Sequence, residues 1–133
     1  MARVILDTTV LIGVERSRSG LDRLLSDEDD VAIAAVTAAE LLVGVALADD
    51  AHRAHRSAFV ASVLDTVPVE DYDLAVARAH ADLLVHVRRS GRARGAHDLL
   101  IAATARARDR MVVTADAAGF ADLPGVPVRS PLP

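Results

Sequence analysis

The sequence predicts an α/β sandwich built on a mainly parallel sheet. Short β-branched runs alternate with longer helical ones, and 52% of the residues are hydrophobic, enough to cover both faces of such a sheet. The length of 133 residues suits one domain. Residues 3–6 read as a buried strand, too short for a helix and ended by Asp7-Thr8-Thr9. Residues 31–34 read as a second strand after an acidic loop. Residues 37–48 are apolar on most faces and end in Asp49-Asp50, which marks a largely buried helix. A helix over 51–64 carries His and Arg on its wet face. Residues 67–69 are a short extended piece before a long helix from about 70 to 89. A Gly- and Arg-rich loop spans 90–95, followed by a helix over 98–108 and a strand over 111–113. Residues 126–128, between prolines, form a last short strand.

Composition narrows the function classes. Aromatic residues make up 2% of the chain (Phe59, Tyr72 and Phe120), so base-stacking platforms are not on offer. The absence of Cys excludes disulfides and thiolate metal sites and suits a reducing cytoplasm. All 15 basic residues are Arg, which excludes any mechanism requiring a catalytic Lys. No apolar run is long enough for a membrane span, and no export signal is visible, so a soluble protein is expected. The net charge of -4 does not indicate a globally basic nucleic-acid binder. The charge is uneven, however. Asp22, Asp27, Glu28, Asp29 and Asp30 form an acidic run that reads as solvated surface. Arg88, Arg89, Arg92 and Arg94 form a basic run, either surface or a local phosphate contact.

In a parallel α/β sheet, function collects where strand carboxyl ends meet helix amino ends. Four acids fall at such junctions: Asp7, Glu40, Asp98 and Asp116. Each has an ordinary structural role available. Asp7 suits a helix cap. Thr37-Ala-Ala-Glu40 fits a capping box. Asp98 suits a helix dipole, and Asp116 a turn. Those roles do not explain convergence on one sheet edge, where carboxylates repel one another unless a cation sits among them. Oxygen-only ligands suit Mg2+ or Mn2+, ions that promote in-line phosphoryl displacement. His52 and His55 stand three apart on one helix but lack a third ligand nearby, and His97 adjoins Asp98.

The segments Val4-Ile-Leu-Asp7-Thr-Thr-Val-Leu-Ile12, Thr37-Ala-Ala-Glu40-Leu-Leu-Val-Gly44, His97-Asp98-Leu-Leu-Ile-Ala-Ala-Thr-Ala105 and Val113-Thr114-Ala-Asp116 resemble the successive signatures of PIN-domain ribonucleases. They are most similar to the VapC toxins of VapBC toxin–antitoxin pairs, in order over essentially the whole chain. The resemblance implies a single PIN-like domain, a three-layer sandwich. It also implies a Mg2+-dependent endoribonuclease, with Mn2+ as a substitute, that cuts structured cellular RNA and is neutralised by a VapB-like antitoxin. Asp7, Glu40 and Asp98 match the family's acidic triad, and Asp116 its fourth, more variable acid. Thr114 matches a supporting hydroxyl, and Thr9 a small polar position. Many relatives carry a further acid where this chain has Gly119.

Three alternatives compete. A haloacid-dehalogenase-like phosphatase uses Asp-x-Asp after the first strand, where Asp7 is followed by Thr8 and Thr9, and it needs a Lys, as does a receiver domain; this chain has no Lys. A catalytically silent PIN scaffold would bind a partner only, and the retention of all four acids argues against it. Helices apolar on more than one face lead to the expectation of a homodimer. An antitoxin segment is expected along the helix 37–48, around Leu41, Leu42 and Val45. The arginines 88, 89, 92 and 94 are expected to hold the RNA backbone.

Overall fold

The computed structural model describes residues 2–17, 20 and 28–131. Among the described residues there are five strands: β1 (Arg3–Leu6), β2 (Asp30–Ala34), β3 (Val69–Glu70), β4 (Met111–Val113) and β5 (Val128–Arg129). The α-helices among the same residues are α1 (Thr8–Ser17), α2 (Ala35–Leu47), α3 (Asp50–Thr66), α4 (Leu74–Ser90) and α5 (Ala96–Ala107). The sheet has the order β3-β2-β1-β4-β5, and every pairing is parallel. The expected α/β sandwich is therefore present, and wholly rather than mainly parallel.

Alternation along the strands sorts the core into two layers. Ile5, Ala34 and Val112 share a cluster with Val76 and Leu83 of α4, Ile101 of α5, and Phe120 beyond β4. Val4, Leu6, Ile33 and Val113 face the other way, onto Leu11 of α1, Leu41 of α2, and Val60 and Val63 of α3. Helices thus cover both faces, as an all-parallel sheet requires. Asp49 caps α3 by accepting from the His52 amide, and Asp73 caps α4 by accepting from Val76. Gly91 ends α4 in the left-handed region (φ 69°), a conformation that costs glycine little.

The structure corrects several boundaries. Helix α1 follows Asp7 directly, where the sequence offers a cap at Asp7 but no bounds for a helix. Helix α2 begins at Ala35, two residues earlier than expected, and the last strand is Val128–Arg129, not 126–128. Glu70 belongs to β3, and α4 starts only at Leu74. The acidic run is not simply solvated. Asp30 pairs with Arg3 (2.8 Å) and Arg110 (3.2 Å), and Asp29 with Arg129 (2.9 Å). Asp22 and Asp27 lie outside the described residues. Of the proposed docking residues, Leu41 is core and Val45 packs against that core, while Leu42 is 53% exposed. The exposed apolar face of α2 is formed by Leu42, Val43 and Leu47.

Candidate active site

The strand order places β1 at the centre, with the chain continuing to β2 on one side and β4 on the other. The crevice at the carboxyl ends of β1 and β4 is where such sheets bind ligands. Asp7 stands there, one residue beyond β1, and its amide donates to Val113 O of β4 (2.9 Å). Its carboxylate is 3% exposed and is held by three donors from this chain. The Thr8 amide donates to Oδ1 (2.8 Å), and the hydroxyls of Thr9 (2.9 Å) and Thr114 (2.8 Å) both donate to Oδ2. Both lone-pair directions of Oδ2 are thereby used, and Oδ1 keeps one.

Thr114 also orders the fourth acid, since its hydroxyl accepts from the Asp116 amide (3.0 Å). It is fully buried and links Asp7 to Asp116 through one oxygen. Thr114→Val is expected to cost about 1–3 kcal/mol, because the amide loses its partner and Oδ2 of Asp7 loses a donor. Urea unfolding of both proteins checks this; an unchanged midpoint would contradict it.

Glu40 comes from α2, and each of its oxygens has a partner. The Thr8 hydroxyl donates to Oε1 (2.9 Å), and His97 Nδ1 lies 3.1 Å from Oε2. The capping box expected of Thr37 and Glu40 does not form. Ala34 is the cap residue of α2 and makes no side-chain cap bond, and Thr37 lies inside the helix with its hydroxyl buried and unbonded. Glu40 therefore does not serve as a cap. Thr8 and His97 are the site residues that sequence reasoning missed or ranked low. The Thr8 contact depends on α1 and α2 meeting, and the His97 contact on α2 and α5 meeting.

Asp98 sits in the first turn of α5, half-buried. Its carboxyl is held above the ordinary carboxylate range by burial, then by the negative charges of Asp7, Asp116 and Glu40, with His97 partly offsetting them. Those three charges come from three other segments of the chain. All four acids singled out in the sequence are thus brought within electrostatic reach of one point on the sheet edge. Asp116 is exposed and precedes a 3-10 turn, Ala117–Gly119, without capping it through its side chain.

The donor set suits a hard divalent cation. It is all oxygen, it is anionic, and the charge on Asp98 is disfavoured in its absence. Among the described residues, no three acidic or histidine side chains close into a finished cage.

The arginines divide. Arg88 and Arg89 are exposed on the last turn of α4. Arg92 pairs with Asp122 (3.1 Å), and Arg94 donates to two backbone carbonyls, those of Ala118 and Ala121. The latter two are engaged by the chain itself. His52 pairs with Asp49 at the start of α3 (2.7 Å).

The model of the PIN domain family matches residues 4–126. The chain is 44% identical to ribonuclease VapC5 of Mycobacterium tuberculosis over 115 residues, covering 84% of this chain and 82% of the relative. The crystal structure of VapBC-5 from Mycobacterium tuberculosis, a member of the VapBC family of toxin–antitoxin systems, superposes with a TM-score of 0.80. It is 36% identical and covers 98% of this chain and 99% of the other. DNA-bound VapBC from Salmonella typhimurium gives a TM-score of 0.86 at 25% identity, covering 98% of each chain. VapBC2 of Rickettsia felis, bound to a fragment of promoter DNA, shares the fold at 20% identity, with a TM-score of 0.87 over 96% of this chain and 98% of the other. With its wholly parallel sheet, its acids on one edge and the family match along nearly all its length, the chain belongs to the PIN domain family, and its place there is with VapC.

Proposed function

We propose that this protein is the RNA-cleaving toxin of a VapBC-type pair, a metal-dependent endoribonuclease acting on structured cellular RNA such as tRNA or rRNA. The observation that carries the proposal is the gathering of Asp7, Glu40, Asp98 and Asp116 from four segments onto one edge, where burial and then the other three charges raise the Asp98 pKa. The naming of a 44% identical relative as a ribonuclease supports it. Asp7, Asp98 and Asp116 would hold Mg2+ or Mn2+, with Glu40 bound directly or through a water. When bound, the cation supplies charge stabilisation at the scissile phosphate and lowers the pKa of water.

The chain's own part is orientation. Thr9 and Thr114 hold Asp7 so that Oδ1 keeps its free lone pair for the site. Thr8 and His97 fix Glu40 from both sides, so that its carboxylate accepts a proton without swinging away. An attacking water would give its proton to the Glu40 carboxylate as the new P–O bond forms, and the opposite P–O bond breaks, its bonding pair leaving with the oxygen, which takes a proton from solvent. Arg88 and Arg89, free of the contacts that occupy Arg92 and Arg94, remain the candidates for flanking phosphates. Such contacts would weaken with salt for all RNAs alike.

The partner is a VapB-like antitoxin, as in the complex of the 36% identical relative. It would cover Leu42, Val43 and Leu47 of α2. A homodimer belongs to the same reading, with Leu74 and Val85 of α4 supplying exposed apolar surface. Sedimentation of the purified protein should show a dimer; a monomer at micromolar concentration would contradict it. The activity is tested by incubating wild type and Asp7→Asn with total RNA, in Mg2+ or in EDTA. Discrete fragments are expected from the wild type in Mg2+ only. Equal cleavage by the variant, or in EDTA, would overturn the proposal.

A further inference from the structure

Arg94 has one obvious use for its charge, an RNA phosphate, yet its guanidinium is turned to the chain. Nη1 donates to Ala118 O (2.9 Å) and Nη2 to Ala121 O (2.6 Å), so the fork spans the 3-10 turn and the residues after it. Gly119 lies between those carbonyls. A Cβ on Gly119 would stand 2.7 Å from Oδ2 of Asp98 and 3.7 Å from Oδ2 of Asp116. Gly119 is not among the positive-φ residues, Gly91 and Gly125 being the glycines that are, so what the position needs is space. The atom its Cβ would strike is the far end of the Asp98 side chain.

We propose that Arg94 is a positioning residue. It straps the 118–121 segment so that the bare Cα of Gly119 lies beside the Asp98 carboxylate and fixes it relative to Asp116. The inference rests on the metal-site reading above and assigns to Arg94 a role other than holding RNA. Arginine is needed because its planar fork satisfies two separated acceptors at once, whereas an ammonium is a single point charge. A phosphate contact would tolerate Lys; the strap does not. The turn that the strap holds is closed by only two backbone bonds within it, a long one from Gly119 N to Asp116 O (3.3 Å) and an ordinary one from Phe120 N to Ala117 O (3.1 Å). Arg92 adds its exposed pair with Asp122 to the same junction.

The test titrates Mn2+ into wild type, Arg94→Lys, Arg94→Ala and Gly119→Ala, with unfolding curves to confirm that each is folded. Loss of a residue that orients metal ligands weakens affinity by about tenfold or more. That loss is expected in all three variants, including Arg94→Lys. Hydrogen exchange should quicken at the Gly119 and Phe120 amides of both Arg94 variants. The salt slope of RNA binding should stay at its wild-type value. Wild-type Mn2+ affinity in Arg94→Lys, or a flattened salt slope with Mn2+ affinity unchanged, would overturn the strap alone. A wild-type protein that takes up no Mn2+ would overturn the metal reading, and the strap with it. Gly119→Ala keeps the inference testable should Arg94→Ala unfold, because it displaces Asp98 without touching the arginine.

Discussion

Asp98→Asn is expected to lower RNA cleavage by about three orders of magnitude, the scale on which single electrostatic groups act in catalysis, while making the metal-free protein more stable. The two effects share one cause. Burial and the charges of Asp7, Asp116 and Glu40 raise the Asp98 pKa, so its ionised form is disfavoured in the folded chain. A carboxyl whose folded pKa is raised destabilises the fold once it ionises. Its contribution is absent below the unfolded value, grows as pH rises from there to the raised folded value, and is complete above it. Asn keeps the shape and cannot ionise, so the variant should lose that part of the fall in stability with rising pH. Mn2+ should reverse the order by stabilising only the wild type, through mass action on the folded state. Denaturant unfolding at several pH values, with and without Mn2+, reads all of this. A variant less stable than wild type at neutral pH without metal would contradict it.

Arg110→Ala should destabilise the fold by about 3 kcal/mol, since its buried guanidinium satisfies two strand carbonyls and two partly exposed carboxylates at once. Arg110 is 6% exposed, and its Nη1 donates to Val4 O (3.1 Å), Asp30 O (2.9 Å) and Asp30 Oδ1 (3.2 Å). Its Nε reaches Glu70 (3.5 Å), so one side chain ties β1, β2 and β3 together. Truncation leaves two backbone carbonyls without that donor and takes a counter-charge from two carboxylates. Arg3 still pairs with Asp30, and Arg108 with Glu70, which keeps the loss from being larger. Urea unfolding checks the figure, and the affinity for Mn2+ should not change. A loss under about 1 kcal/mol would show the network to be worth no more than a surface pair.

The four acids were legible because a carboxylate after a β-branched run, or at a helix start, announces its place on a parallel sheet. The strands were legible for the same reason. What surrounds the acids was not. Thr8 and Glu40 are 32 residues apart, and their bond exists only once α1 and α2 meet. Arg94 looked like a phosphate ligand because charge declares itself in a sequence and a backbone carbonyl does not; its partners lie 24 and 27 residues on. Helix α2 is apolar on most faces, so periodicity could not separate buried Leu41 from exposed Leu42. Asp7-Thr8-Thr9 reads as the end of a strand, and the cap role open to Asp7 is the one local sign of the helix that starts there.

The central claim is that these carboxylates hold a divalent cation, and anomalous diffraction from crystals soaked in Mn2+ addresses it directly. A peak about 2.0–2.2 Å from carboxylate oxygens of Asp7 and Asp98, the distance at which such small hard ions bind oxygen, is the expected result. A peak elsewhere on the chain, with none of Asp7, Glu40, Asp98 and Asp116 in contact with it, would contradict the claim.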